Sequence, residues 1–180
     1  MIWVEVNKIT NLITSALIIL ASSYIGIACA SKYETAVKHI EAFQSSLKML
    51  EFDVSYLKLP LRESFERIAK SQRGCIKNFY SYLAEQLRDC NGENVGFIYK
   101  KALNRFKYDL LFNENIENAL IDFSDSLGNM NVENEVANIK ALYTKIKYYE
   151  EEARGMAKKN VKMYRGLGIL GGIFIVLIFS

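Results

Sequence analysis

The sequence predicts an all-α fold, a six-helix cytoplasmic bundle flanked by N-terminal and C-terminal transmembrane helices. Three observations carry that prediction. A single proline, Pro60, stands in 180 residues, so little interrupts helical hydrogen bonding. Apolar residues recur at steps of three and four over long stretches, the pattern of helices with one buried face. Two stretches near the ends, Ile9–Ala30 and Gly166–Ser180, carry no charge.

The first of these, residues 9–30, has the length of a span, which takes about 20 apolar residues to cross a hydrocarbon core of about 30 Å. Ala28-Cys29-Ala30 also resembles a signal-peptide cleavage site. The polar lead with Glu5 and Lys8 and the long apolar run favour an uncleaved anchor. A lipidated Cys29 is disfavoured by Gly26, which stands where an aliphatic residue is expected.

The bundle domain, residues 31–165, opens with a seam of Ala36, Ile40, Phe43, Leu47, Leu50, Val54 and Leu57. These heptad steps predict a helix ending near Lys58, since the residue before a proline avoids the α region. Pro60 is expected to open the second helix as its first residue, with Leu61, Phe65, Ile68 and Ala69 on one face and Gly74 interrupting. The third helix runs from Ile76 to Arg88 and buries Ile76, Phe79, Tyr80, Leu83 and Leu87, before a turn at Asn91-Gly92. A fourth, from about Val95, turns Ile98, Ala102 and Phe106 inward. The fifth, entered at Asn115, carries Ile116, Ala119, Leu120, Phe123 and Leu127, with Gly128 at the C′ position. Asn131 is placed to cap the sixth. Its predicted seam is Leu142, Ile146, Tyr149, Ala153, Met156, Asn160 and Met163. No breaker precedes the tail span, residues 164–180, so one continuous helix is expected, with at most a bend at Gly166–Gly168. Lys162 and Arg165 can snorkel to headgroups and let Met163 and Tyr164 lengthen that short span.

Formal charge is only +3, but it is banded. Residues 32–107 hold 14 basic and 9 acidic side chains, residues 108–152 hold 3 and 10, and residues 153–165 hold 5 and none. The last band, with Lys158, Lys159, Lys162 and Arg165, reads as a membrane-surface patch against lipid headgroups and keeps residues 31–165 on the cytoplasmic side. No basic face with interleaved aromatics appears, so nucleic acid is not an expected partner. Small residues form candidate packing stripes in the spans: Ser22, Gly26 and Ala30 in one, Gly168 and Gly172 in the other.

No catalytic, metal-ligating or cofactor-binding constellation emerges, and the chain is not expected to be an enzyme. His39 is the sole histidine and is expected to be solvated on a helix flank. Cys75 and Cys90 would lie about 22 Å apart along one helix, too far to bridge. The glycines of Gly166–Gly172 lack the preceding strand and the following Lys-Ser/Thr of a phosphate loop. Glu150-Glu151-Glu152 reads as a solvated face. Eleven tyrosines and ten phenylalanines exceed what so small a core must hold, and Tyr143, Tyr148 and Tyr149 are candidate partner contacts.

The order of parts resembles the stage III sporulation protein AB family of endospore-forming bacteria. That family is similar in fold to the inner-membrane platform protein of type II secretion and type IV pilus systems. The residues that carry the resemblance are the N-terminal span; Tyr56-Leu57-Lys58-Leu59-Pro60-Leu61 with Phe65, Ile68 and Ala69; Ser126-Leu127-Gly128; and Arg165-Gly166-Leu167-Gly168 through Gly171-Gly172. Where the family carries an acid and a glutamine after the Leu-Gly pair, this chain has Asn129-Met130-Asn131 and Glu133-Asn134-Glu135. The resemblance implies a non-enzymatic part of a channel complex between mother cell and forespore, with a secretion-type ATPase and other channel-complex proteins as partners. Self-association into a homo-oligomer is left open. The alternative from the residues alone is a membrane-tethered adaptor that recruits a soluble signalling or division partner.

Overall fold

The computed structural model describes residues 2–89, 94–128 and 131–179, with side chains for 14–88, 94–128 and 131–177. Cys90, the Asn91-Gly92 turn and Asn129-Met130 lie outside the described residues. Six helices follow one another: α1 (Ile2–Ser55), α2 (Leu61–Ser71), α3 (Gly74–Asp89), α4 (Val95–Leu110), α5 (Glu114–Ser126) and α6 (Val132–Phe179). No strand occurs among the described residues.

Local chemistry sets most of the boundaries. After α1 the chain passes through Lys58 at φ +52°, and the Leu59 amide reaches back to the Asp53 carbonyl. Pro60 stands one place earlier than expected. It is the N-cap of α2, with ψ 148°, and its carbonyl accepts from the Ser64 amide. Asn94 caps α4 by accepting from the Gly96 amide at 2.7 Å. The cap of α5 is Asn113, not Asn115, and it accepts from the Ile116 amide at 2.9 Å. Gly128 has φ +77°, a left-handed conformation that a side chain disfavours. Asn131 caps α6 by accepting from the Asn134 amide at 3.0 Å. Helix α6 continues through Gly166–Gly168 without interruption.

The contacts divide the chain into two compact units, one of residues Ala36–Glu152 and one of Met1–Thr35 with Ala153–Ser180. In the first, α2 packs on α3, α3 on α4 and α4 on α5. Aromatic rings form one connected stack through its centre. Phe43 of α1 meets Phe79, Tyr80 and Phe112, Tyr80 meets Phe65, Phe79 meets Tyr99, and Tyr99 meets Phe123. The core thus takes up much of the aromatic surplus seen in the sequence. Full burial of one such side chain contributes about 1.5–3 kcal/mol.

The α1 seam is buried from Ile40 to Val54, whereas Leu57 lies beyond the helix end and is 43% exposed. On α6 the buried positions are Glu135, Ile139, Leu142, Ile146, Glu150 and Ala157, followed by Gly168 and Gly172. Met156 and Met163, expected inside, are 49% and 45% exposed. The seam follows an eleven-residue repeat of about 3.67 residues per turn, so a heptad reading drifts off the buried face after Ile146.

Candidate functional site

In the unit built from the chain's apolar ends, α1 and α6 approach backbone to backbone. A Cβ on Gly26 would lie 2.7 Å from the Tyr164 carbonyl oxygen and 3.0 Å from the Gly168 Cα. One on Gly172 would lie 3.0 Å from the Ile19 Cα. Ser22 Oγ donates to the Gly168 carbonyl at 2.7 Å, and Ala30 is fully buried. The structure therefore brings Ser22, Gly26, Gly168 and Gly172 into one contact. Close approach of this kind needs small residues, because any larger side chain displaces the facing backbone. Outward from the contact, Leu17, Leu20, Ile25, Leu170, Phe174 and Leu177 are exposed. Both helices contain stretches long and apolar enough to cross a membrane.

A polar collar closes one end of this pair, and sequence reasoning missed it. Tyr33 stacks on Tyr164 with ring centroids 5.8 Å apart, and Arg165 pairs with Glu34 at 3.0 Å. Each charged partner sits near the end of an uncharged run, the one signal that would have paired them. Lys158, Lys159 and Lys162 are exposed on α6. Of the candidate contact tyrosines, Tyr148 is 67% exposed and meets Tyr149 at 5.6 Å, while Tyr143 lies under the Lys48 ammonium.

Within the bundle unit, several polar groups have partners that the sequence conceals. His39 is not simply solvated. It lies 3.0 Å from the Leu110 carbonyl at the end of α4, with Cys75 Sγ at 3.5 Å. A carbonyl only accepts, so Nδ1 donates to it, and the Cys75 thiol lies 3.5 Å from both ring nitrogens. Burial pushes the Cys75 thiol up, which disfavours the nucleophilic thiolate. Glu150 leaves the expected solvated face, being 9% exposed and accepting from Gln44 Nε2 at 3.0 Å. Asp53 is buried, with Arg67 at 3.1 Å as its cation, and desolvation raises its carboxyl pKa while Arg67 opposes the shift.

A groove of about 390 Å³ lies where α1 ends and α2 begins. Val54, Leu59, Pro60, Leu61, Val95 and Val132 supply apolar walls. It joins segments far apart in sequence, since Leu59–Leu61 and Gly128 both line it. Glu135 on its wall accepts from the Gly128 amide at 3.0 Å, and burial raises its carboxyl pKa.

A family model for stage III sporulation protein AB matches residues 11–180. The chain belongs to that family. Stage III sporulation protein AB of Bacillus subtilis (strain 168) is 24% identical over 168 residues, covering 93% of this chain and 98% of that protein. A solved structure of stage III sporulation protein AB superposes with a TM-score of 0.60 at 21% identity, covering 67% of this chain and 94% of its own. That likeness shows a shared fold. The matched range of the stage III sporulation protein AB family includes α2 to α6 complete and most of α1.

Proposed function

We infer that the chain acts in sporulation as a non-enzymatic membrane-platform component of a secretion-like channel complex, linking a cytoplasmic ATPase to membrane parts. The observation that supports this most is family membership across nearly the whole chain. The apolar parts of α1 and α6 span the mother-cell membrane facing the forespore as a hairpin. Residues 31–165 form the cytoplasmic domain. Lys158, Lys159 and Lys162 attract anionic lipid at the inner surface, each worth about 1 kcal/mol there. Ser22 and the glycines hold the hairpin, a role that needs packing and no chemistry.

The test labels single cysteines in a chain with Cys29, Cys75 and Cys90 replaced by serine. Tyr108 is 87% exposed. A membrane-impermeant maleimide should spare Tyr108→Cys in intact cells and label it after lysis, while Ser180→Cys labels in both. Deleting the gene in its spore-forming host should abolish heat-resistant spores, and the tagged chain should co-purify with a secretion-type ATPase from sporulating cells. Labelling of Tyr108→Cys in intact cells refutes the topology. Normal spore counts refute the role.

A further inference from the structure

The groove between the end of α1 and the start of α2 has a charge arrangement of its own. Among its lining residues the cations are Lys58, which is exposed, and Arg62, whose side chain is 41% exposed. Its one acid, Glu135, is 9% exposed and already holds the Gly128 amide. Helix α2 begins at the same place, behind Pro60, with no side chain capping it. Its first amide groups therefore add partial positive charge beside the two cations. Apolar walls with a positive mouth fit one kind of occupant.

We propose that this groove docks an acidic peptide segment of a partner protein. An aliphatic side chain of the segment enters between Leu59, Val95 and Val132, and a neighbouring carboxylate sits at the start of α2 between Lys58 and Arg62. The volume of about 390 Å³ falls within the roughly 300–1,000 Å³ of clefts that bury small ligands. Arg62 is held by Glu66 in an i,i+4 pair at 3.6 Å, loose enough to turn toward a second carboxylate. Glu63, exposed on the first turn of α2, works against an anionic occupant and limits affinity. The inference does not rest on the platform reading, because any acidic partner serves.

Fluorescence anisotropy of the full chain in detergent micelles tests it. The probe is a fluorescein-labelled hexapeptide alternating leucine and aspartate, compared with the same peptide carrying asparagine for aspartate. The acidic peptide should bind roughly tenfold or more tightly, as one charge-assisted contact gives. Lys58→Glu with Arg62→Glu should remove that preference, Val132→Trp should block both peptides, and Glu63→Gln should tighten the acidic one. Circular dichroism establishes that each variant is folded. Equal binding of the two peptides, or an unchanged preference in the charge-reversed variant, overturns the proposal. Concentration-dependent self-association abolished by charge reversal would assign the groove to a second copy of the chain and overturn it equally.

Discussion

Asp53 places a carboxylate inside the bundle with Arg67 beside it, and neither carboxylate oxygen has a hydrogen-bond partner among the described residues. Desolvation raises its pKa, so the folded chain keeps that proton to higher pH than the unfolded chain does. The resulting stabilisation is complete below the unfolded pKa and is lost as pH rises through the folded value. Glu135 shifts in the same direction by burial. Asp53→Asn should therefore gain stability on the parent as pH climbs from about 4 to 7, a difference on the order of 1 kcal/mol. Thermal unfolding in micelles at several pH values reads it, and a pH-independent difference would contradict the argument. Arg67, with a side chain 44% exposed, stays hydrated in the variant, so losing the ion pair costs little. Gly26 is the opposite kind of residue, one that matters for lacking a side chain. Gly26→Leu must displace the Tyr164 carbonyl, which would otherwise lie 2.7 Å from the new Cβ. Ser22→Cys with Gly171→Cys should cross-link efficiently, since a Gly171 Cβ falls 3.6 Å from Ser22 Oγ. Adding Gly26→Leu should suppress that cross-link.

Each helix end is a small energetic device. Asn113 satisfies an amide that α5 cannot bond internally, so Asn113→Ala should cost about 1 kcal/mol, visible as a lower melting temperature by circular dichroism at 222 nm. The sixth helix start at Asn131 and the C′ glycine at Gly128 were legible because cap chemistry is local. The start of α5 was not, because two asparagines compete. Beginning at Asn113 puts Glu114 and Glu117 in the first turn, where the helix dipole favours acids. The failed part of the α6 seam has a long-range cause. Heptad and eleven-residue repeats coincide up to Ile146 and then offer Tyr149 or Glu150. Composition favours the tyrosine, but the partner that accommodates Glu150 is Gln44, 106 positions away, and no local pattern reveals it.

At the scale of the whole molecule, Ser22, Gly26 and Ala30 and the Gly168–Gly172 pair stood out in the sequence as two separate stripes of small residues, but which of them meet depends on the register of α1 against α6. The Tyr33–Tyr164 and Glu34–Arg165 pairs were illegible because they depend on the register of two helices more than 130 residues apart in sequence. The groove was hidden for the same reason, although both segments that meet there, Leu59-Pro60-Leu61 and Gly128, stood out separately. Helix α6 raises the last question, whether its continuity matters to function. It runs unbroken for 48 residues from Val132 to Phe179, and an intact backbone ladder resists bending where a proline would break it. Inserting Gly-Pro between Tyr164 and Arg165 removes that stiffness and moves Arg165 off its register with Glu34. The altered chain should still reach the membrane, because both apolar stretches keep their composition, and Tyr108→Cys should keep its side. Heat-resistant spore counts should fall toward those of the deletion. If they stay at parental level while the protein accumulates normally, force or position is not carried through α6, and the chain must act in sporulation through its bundle surface alone.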